Sequence, residues 1–285
     1  MDRVLTHDPR DLAFTPRDLR RISAMIYARA GIALSARKAN MVYGRLSRRL
    51  RACGVTCFTD YLDLLESDPG CEEWEAFTNA LTTNLTSFFR EAHHFPILRE
   101  HLLARRRAHM TVWCAAASTG EEAYSIAITA CEAFGTLAPP VRVIASDIDT
   151  GVLATAERGV YPVERAESLD RALLRRYFMK GSGANAGLAR VRPEIRALVK
   201  FCRINLRETH WDLAGDFDAV FCRNVLIYFD RPMQLAVLAR IAPLLNADGL
   251  LFAGHSESLA HAAELFRPLG NTVYAAVAKS HEAAR

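Results

Sequence analysis

The alternation of short apolar runs with helical stretches beyond residue 111 limits the fold more than any other feature of the sequence. Strands that alternate with helices form a doubly wound α/β sheet. Residues 158–203 interrupt the alternation and hold Gly181, Gly183 and Gly187 in one loop, so we interpret them as an inserted subdomain, partly a small antiparallel sheet. The predicted strands are 111–114, 141–147, 216–222 and 249–254, and the predicted helices between them include 121–134 and 231–245.

The first part of the chain has a different pattern, because residues 15–82 show only helical signals. Thr15 is a suitable helix cap, Pro16 fits the first helical position, and Gly31 and Gly54 are suitable stops. We therefore predict a helical N-terminal domain over residues 1–83, with about four helices of ordinary length. The α/β domain is predicted over residues 84–285.

Composition excludes several classes of protein. With 51% apolar and 24% charged residues, the chain is neither largely disordered nor fibrous. It has no run of about 18 apolar residues, and its first ten residues include charges where an export signal would be apolar. We therefore expect a cytoplasmic protein without membrane insertion, whose seven cysteines are reduced thiols.

Positive charge is concentrated in two islands although the net charge is only +4. Residues 16–51 contain ten Arg or Lys and one acid, and residues 171–203 contain nine and one. Either island could be a solvated helix face or a contact for an acidic partner.

The first island has internal order. A helix over residues 36–51 places Val42, Leu46 and Leu50 on an apolar face, with Ala39 and Tyr43 beside them. Six exposed cations on the other face repel each other unless an anionic partner neutralises them. No zinc-finger spacing and no RNP-like aromatic strand is present. The charge alone therefore does not choose between nucleic acid and an acidic protein helix as that partner. The basic face consists of Arg37, Lys38, Arg45, Arg48, Arg49 and Arg51.

Three segments follow predicted strands and should meet at the rim of the sheet, where α/β proteins bind ligands. They are the small-residue run 115–120, Asp147, and residues 222–225. Glu121 and Glu122 begin the helix after the first segment and would repel a pyrophosphate, whereas a ligand with a cationic group would be attracted. A cationic group, a ribose and no phosphate together indicate S-adenosylmethionine. Alternatively, the glutamates are ordinary helix-start charges and Asp147 is a cap.

The residues that would be needed for other chemistries are missing from the pattern. The Asn/Asp-Pro-Pro-Tyr run that is common in amino-group methyltransferases of DNA is replaced by Arg-Asn-Val-Leu-Ile-Tyr at 223–228. No Cys-His or Ser-His-Asp spacing indicates covalent catalysis. Cys53 and Cys57 have no nearby histidine, so we predict no metal site.

Four long motifs make the sequence recognisable. They are TTNLTSFFRE at 82–91, STGEEAYSI at 118–126, FCRNVLIYF at 221–229 and LLFAGHSE at 250–257. In this order they resemble the bacterial chemoreceptor glutamate O-methyltransferases, the CheR family, over residues 12–280. The resemblance implies a Rossmann-like S-adenosylmethionine-dependent methyltransferase domain with an inserted small antiparallel β-subdomain, preceded by a small all-helical N-terminal domain. Ala123 departs from the family pattern, in which proline is common at this position.

The same resemblance implies an activity. The family transfers a methyl group from S-adenosylmethionine to glutamate side chains of transmembrane chemoreceptors, which gives glutamyl methyl esters and S-adenosylhomocysteine. A glutamate with an ordinary pKa of about 4.3 is already a carboxylate at neutral pH and needs no general base. The absence of an obvious catalytic histidine is therefore expected.

The resemblance also assigns the residues near the reacting groups. Asn84, Thr86 and Arg90 would bind the methionine end of the cofactor, with Arg90 near its carboxylate. Glu121 would meet its ammonium group. Arg90 and Tyr228 would border the place where the methyl group and the substrate meet, and are the predicted catalytic residues.

The nucleoside end of the cofactor receives a second group of residues by the same resemblance. Asp147 would hold the ribose, and Asn205 and Leu206 would lie by the adenine. Asn224 and Val225 would complete the pocket.

The resemblance gives partners to the basic islands. The basic face of helix 36–51 would meet the glutamate-rich cytoplasmic methylation helices of the receptor. The inserted sheet would bind a receptor C-terminal peptide by adding a strand, as in some members of the family. The expected protein is a monomer that is recruited to receptor arrays and binds no nucleic acid. The alternatives are a nucleic-acid methyltransferase, with strongly salt-dependent binding, and a non-catalytic adaptor that binds the cofactor.

Overall fold

A computed structural model describes residues 12–166 and 169–277 of the chain. These residues form two compact units. Unit 1 contains the described residues up to Thr83 together with Tyr228–Met233, and unit 2 contains Asn84–Ile227 and the described residues from Gln234 onward.

Unit 1 is helical, and its first helix is defined by its ends. Thr15 accepts a hydrogen bond from the backbone N–H of Asp18, and the Asp18 carboxylate accepts one from the Thr15 N–H in return. Gly31 ends the helix in the left-handed conformation, with φ of 73°. The helices are α1 (Pro16–Ala30), α2 (Ala39–Ala52), α3 (Phe58–Ser67) and α4 (Glu73–Leu81).

The helix predicted over residues 36–51 is shorter at its start than expected. Residues 36–38 form a 3-10 turn, and α2 begins at Ala39. Its apolar face is confirmed, because Val42, Leu46 and Leu50 are fully buried. This burial is the main force that fixes α2, since amphipathic packing outweighs helix propensity.

Unit 2 is built on a seven-stranded sheet in the order β6-β2-β1-β7-β8-β10-β9. The first five strands in that order are parallel, and β10 and β9 are antiparallel. The six residues of β7 are all buried, which is typical of a parallel strand covered on both faces. The strands of this sheet are β1 (Met110–Cys114), β2 (Val141–Asp147), β6 (Val199–Arg203), β7 (Phe217–Cys222), β8 (Leu245–Ala253), β9 (Phe266–Gly270) and β10 (Val273–Ala276).

Helices pack against this sheet and connect its strands. The predicted helix 121–134 has those bounds in the structure, whereas the predicted helix 231–245 ends at Ile241 and is followed by a 3-10 turn. The helices that lie wholly in unit 2 are α5 (His94–Arg105), α6 (Glu121–Phe134), α7 (Thr150–Arg158), α8 (Val163–Ala166), α9 (Arg171–Tyr177) and α10 (Pro193–Arg196). Helix α11 (Arg231–Ile241) begins in the segment Tyr228–Met233 of unit 1 and continues in unit 2.

The inserted subdomain contains the predicted antiparallel sheet, but it ends earlier than expected. Its strands are β3 (Val160–Pro162), β4 (Phe178–Lys180) and β5 (Leu188–Val191), in the order β3-β5-β4. The prediction that residues 199–203 belong to the insertion is wrong, because they form β6 at the edge of the main sheet, parallel to β2. The observed fold is the predicted class: a mostly parallel α/β sheet with an inserted antiparallel sheet, after an all-helical segment. Among the described residues, no helix is long and apolar enough to span a membrane.

Candidate functional site

Strands β1 and β7 lie side by side at the centre of the main sheet, although one follows the other by about a hundred residues. The chain leaves β1 towards β2 on one side, and β7 leads to β8 on the other. Their carboxyl ends therefore form the switch point at which α/β sheets bind ligands.

Residues 84–91 cross this switch point and are bonded to the loops that follow three strands. The backbone oxygen of Asn84 accepts a hydrogen bond from Ser118 Oγ at 2.9 Å, and its side-chain amide donates to Asp149 at 2.8 Å. At the other end, the backbone oxygen of Arg90 accepts a hydrogen bond from Arg223 Nη2 at 2.5 Å. The segment thereby brings the first predicted cofactor-binding motif against the other motifs.

The loop after β1 requires a residue without a side chain at Gly120. This glycine has φ of 97°, and a Cβ atom there would lie 2.8 Å from the Cβ of Ala156. Ser118 also adopts a positive φ, of 50°. Tight turns of this kind bring backbone groups close to a ligand.

Asp147 ends β2 at the rim, as predicted. Its two carboxylate oxygens accept hydrogen bonds from the backbone N–H groups of Ser118, at 2.8 Å, and Asp149, at 3.0 Å. Burial raises the pKa of this carboxyl, and the two N–H donors oppose that effect. Each carboxylate oxygen has capacity for a further donor, so a ribose hydroxyl fits here.

Glu121 is fully buried and already paired. Its carboxylate oxygens accept hydrogen bonds from Arg165 Nη1 at 2.8 Å and from Thr119 Oγ1 at 2.6 Å. Sequence reasoning missed Arg165, which lies in the insertion 44 residues away and is half exposed.

A second buried charge cluster forms around Arg223, whose side chain has no exposed surface. Its guanidinium lies 3.3 Å from a carboxylate oxygen of Glu91 and 3.1 Å from one of Glu122, and it packs near the rings of Phe95 and Phe221. Burial raises the pKa of Glu122, and the charge of Arg223 opposes the increase. Sequence reasoning cited Arg223 and Glu122 only as parts of motifs and did not predict this cluster.

The remaining predicted cofactor residues lie on loops of unit 2. Asn205 and Leu206 follow β6, where the Trp211 indole donates a hydrogen bond to the Asn205 backbone oxygen at 3.1 Å and Leu206 is buried. Thr86 and Val225 are partly exposed on the segment 84–91 and on the loop after β7. Asn205, Leu206 and Val225 thus lie on loops that follow parallel strands, and Thr86 lies on the segment 84–91.

The two predicted catalytic residues fall in different units. Arg90 is partly exposed in unit 2, and its Nη1 donates a hydrogen bond to the Leu85 backbone oxygen at 2.9 Å. Tyr228 belongs to unit 1, where its backbone oxygen accepts a hydrogen bond from Ala33 and its ring lies 5.3 Å from the ammonium of Lys38. The pairing of Arg90 with Tyr228 therefore stays a prediction.

The basic face of α2 is less exposed than the sequence indicated. Arg45 donates a hydrogen bond to the backbone oxygen of Thr82, and Arg49 pairs with Glu73. The expectation that all six cations are left in water is wrong for these two, because their long side chains reach groups at the end and start of α4. Arg37, Arg48 and Arg51 are exposed, and Lys38 is partly exposed over Tyr228.

The chemical groups that unit 2 offers at this rim fit S-adenosylmethionine. Asp147 has acceptor capacity for hydroxyl groups, Arg90 offers a partly exposed cation, and Gly120 keeps the first loop free of a side chain. No cluster of three or more His, Cys, Asp or Glu within the described ranges has a geometry that could hold a metal ion.

His94 begins α5 and gives unit 2 a dependence on pH. It is fully buried, and burial together with the charge of Arg223 lowers its pKa from 6.5 to about 4. The folded state favours the neutral imidazole of His94. The free energy of unfolding is therefore unaffected by this group above pH 6.5 and falls progressively as the pH drops from 6.5 to about 4. We expect the free energy of unfolding to fall by about 3 kcal/mol over this window.

Chemical unfolding of the wild type and a His94→Gln variant at several pH values measures this pH-dependent loss of stability. The difference in unfolding free energy between the two proteins should narrow below pH 6.5. A difference that is constant with pH would contradict the assignment.

The fold and this arrangement of loops are those of an S-adenosylmethionine-dependent methyltransferase. Comparison with known proteins supports this: residues 84–275 match the CheR methyltransferase SAM binding domain, and residues 17–82 match the CheR methyltransferase all-alpha domain. The chain therefore belongs to the CheR methyltransferase family, and its cofactor is S-adenosylmethionine.

Similar proteins include two chemotaxis protein methyltransferases. The chain is 52% identical over 265 residues to "Chemotaxis protein methyltransferase 2" of Pseudomonas aeruginosa, covering 92% of this chain and 93% of that protein. It is 54% identical over 265 residues to "Chemotaxis protein methyltransferase" of Escherichia coli, covering 93% and 92%. Among solved structures, PKMT2 from Rickettsia typhi in complex with AdoHcy has 12% identity and a TM-score of 0.37 over 60% of this chain and 26% of that chain. That likeness is too weak to add to the assignment.

Proposed function

We propose that this protein methylates glutamate carboxylates of chemoreceptors, with S-adenosylmethionine as methyl donor, in chemotactic adaptation. The observation that supports this best is the bonding of residues 84–91 to the loops after β1, β2 and β7, which gathers the family's motifs at one rim. Relatives that are more than half identical over nine-tenths of the chain bear the name of chemotaxis methyltransferases.

A protein that catalyses this reaction has little proton chemistry to perform. The acceptor carboxylate is already ionised at neutral pH, and the cofactor, when bound, supplies an activated methyl group. The protein's task is to align the acceptor oxygen with that methyl group, and such positioning is worth roughly 7–11 kcal/mol.

Residues of unit 2 are proposed to hold the cofactor by chemical type. Asp147 would accept from the ribose hydroxyls, and Arg90 would pair with the carboxylate of the methionine end. Glu121 would meet the ammonium through the acceptor capacity that remains beside its bonds to Arg165 and Thr119. Asn84, Thr86, Asn205, Leu206, Asn224 and Val225 complete the proposed cofactor set.

Residues 1–83 are proposed as the receptor-recognising domain, and residues 84–285 as the methyltransferase domain. The exposed cations Arg37, Arg48 and Arg51 would face the acidic methylation helices. A receptor C-terminal peptide would pair with an edge of the inserted sheet, because β3 and β4 are its two outer strands among the described residues. We propose that the enzyme acts in the cytoplasm at receptor arrays.

Incubation with labelled S-adenosylmethionine and receptor-bearing membranes tests the proposed reaction. The receptor should become labelled, whereas a receptor whose methylation glutamates are replaced by alanine should not. Incorporation of label into the receptor variant that lacks the methylation glutamates would contradict glutamate as the acceptor.

Reversal of exposed charge on α2 tests the receptor contact. In an Arg48→Glu, Arg51→Glu variant, receptor methylation should fall by about tenfold at low salt, because attraction to the acidic helices is lost. The affinity for S-adenosylhomocysteine should not change. A matched control replaces Arg142 and Lys200, two exposed cations of unit 2, by glutamate. Equal loss of methylation in both variants would mean that only net charge matters.

A further inference from the structure

Asn224 is held by two carboxylates, one at its backbone and one at its side chain. We propose that Glu91 and Glu257 are positioning residues that fix Asn224 with its amide oxygen presented to the cofactor. The proposal rests on the proposed function, since it takes the loop after β7 as part of the cofactor site.

Glu257 holds the backbone of the loop. One of its oxygens accepts hydrogen bonds from the backbone N–H groups of Asn224, at 2.7 Å, and Gly254, at 2.6 Å, and the other accepts one from Ile227 at 3.3 Å. The side chain is buried, with 4% of the residue exposed. A buried carboxylate with several N–H donors is a strong and directional anchor, and it ties the loop after β7 to the turn after β8.

Glu91 holds the side chain of the same residue. Its Oε1 accepts a hydrogen bond from Asn224 Nδ2 at 3.2 Å and lies 2.9 Å from Nδ1 of His255, while its Oε2 lies 3.3 Å from Arg223. Burial raises the pKa of Glu91, but the bond to His255 and the charge of Arg223 outweigh that effect and lower it to about 2. The carboxylate is therefore ionised at neutral pH.

The ionised state of Glu91 decides which way the amide of Asn224 points. An ionised carboxylate can only accept hydrogen bonds, so it must face the NH2 group of the asparagine. The amide oxygen is then turned away from Glu91, and no group in residues 12–166 or 169–277 donates a hydrogen bond to it. Asn224 therefore offers an acceptor, which would select a ligand that has an N–H or O–H group at this point.

The backbone shows why such anchors are needed. Asn224 and Glu91 both have positive φ, of 57° and 53°. Asparagine enters this region readily, whereas glutamate does so at a cost. Gly254 packs directly against this turn, since a Cβ atom there would lie 2.9 Å from the Asn224 backbone nitrogen and 2.8 Å from Glu257 Oε2. The loop after β7 is therefore closely packed against the turn after β8.

A double-mutant cycle on S-adenosylhomocysteine binding tests the proposal by calorimetry. In Asn224→Asp two carboxylates face each other, and in Glu91→Gln an amide replaces the acceptor, so each single variant should bind the ligand about tenfold more weakly. In the combined variant the glutamine can donate to the aspartate, whose second oxygen still points towards the ligand. Its affinity should recover most of the loss, which gives a large coupling between the two sites.

Further variants separate positioning from stability. Gly254→Ala should displace Asn224 and weaken binding while it leaves both carboxylates intact, and Glu257→Gln should weaken binding through the loop backbone. Glu132→Gln removes a carboxylate that pairs with Arg176 and should leave binding unchanged. Thermal unfolding of each variant accompanies the titrations, so that affinity is compared between folded proteins.

The outcomes distinguish this proposal from the proposed function. If the wild type binds S-adenosylhomocysteine but the losses in Glu91→Gln and Asn224→Asp simply add in the combined variant, the positioning role is wrong and the function stands. If the wild type does not bind the ligand, the proposed function fails and this inference fails with it.

Discussion

Replacement of Asp147 by asparagine should weaken S-adenosylhomocysteine binding by at least about a hundredfold and abolish methyl transfer. The carboxylate accepts two backbone N–H bonds while it is almost fully buried, and it is the proposed acceptor for the ribose hydroxyls. An amide presents an NH2 group to one of these N–H donors, so that the loss includes an unsatisfied buried donor as well as a charged hydrogen bond. Calorimetric titration measures the effect.

Asp212→Asn is a suitable control, because this aspartate is exposed on the loop that follows β6. Its affinity for the ligand should equal that of the wild type. If Asp147→Asn also bound the ligand with unchanged affinity, Asp147 would be only a structural cap for the neighbouring loop.

Replacement of Arg90 by alanine should weaken S-adenosylhomocysteine binding by about tenfold to a hundredfold, the usual value of a charged hydrogen bond. The guanidinium is partly exposed and donates to the backbone oxygen of Leu85 through Nη1, so its other N–H groups are donors for a carboxylate. The effect should be specific to the amino-acid end of the ligand. Binding of 5′-methylthioadenosine, which lacks that end, should therefore change little.

The two ligands together decide the role of Arg90. An equal loss for both would show that the substitution disturbs the whole pocket, and an unchanged affinity for both would remove Arg90 from the cofactor site. Thermal unfolding of Arg90→Ala checks that the loops remain folded.

The main elements of the fold could be predicted from the sequence because their patterns are local. Strand β2 and helix α6 have the predicted bounds, since an apolar run and a capped helix both carry their own signals. The sequence pattern places strand β6 in the insertion. Its partner β2 lies more than fifty residues away, and a short segment carries no signal of the strand with which it pairs. Strands β9 and β10 were not predicted for the same reason, since they are defined by their antiparallel pairing.

The site could be located from the sequence but not completed. Strand ends in a parallel sheet meet at one rim, so Asp147 and the loop before Glu121 were expected together. The partners that hold them were missed, because Arg165 reaches Glu121 across 44 residues and Glu91 reaches Asn224 across 133. Only the folded chain brings such side chains together.

The basic face of α2 shows the same limit. Periodicity correctly placed its apolar residues, but it assumed that every residue on the opposite face lies in water. Arg49 instead forms an ion pair with Glu73, which also accepts a hydrogen bond from Tyr61. Arg45 donates a hydrogen bond to the backbone at the end of α4. A long side chain can reach a neighbouring helix from the edge of a polar face, and its position on a helical wheel does not reveal this.

The central claim is that the chain forms methyl esters on receptor glutamates. The most direct test mixes the protein with radiolabelled S-adenosylmethionine and chemoreceptor membranes, isolates the receptor band and treats it with mild base. We expect label on the receptor that base releases as methanol, since a carboxyl methyl ester is base-labile. Label that survives base would place the methyl group on nitrogen or carbon and would contradict the account.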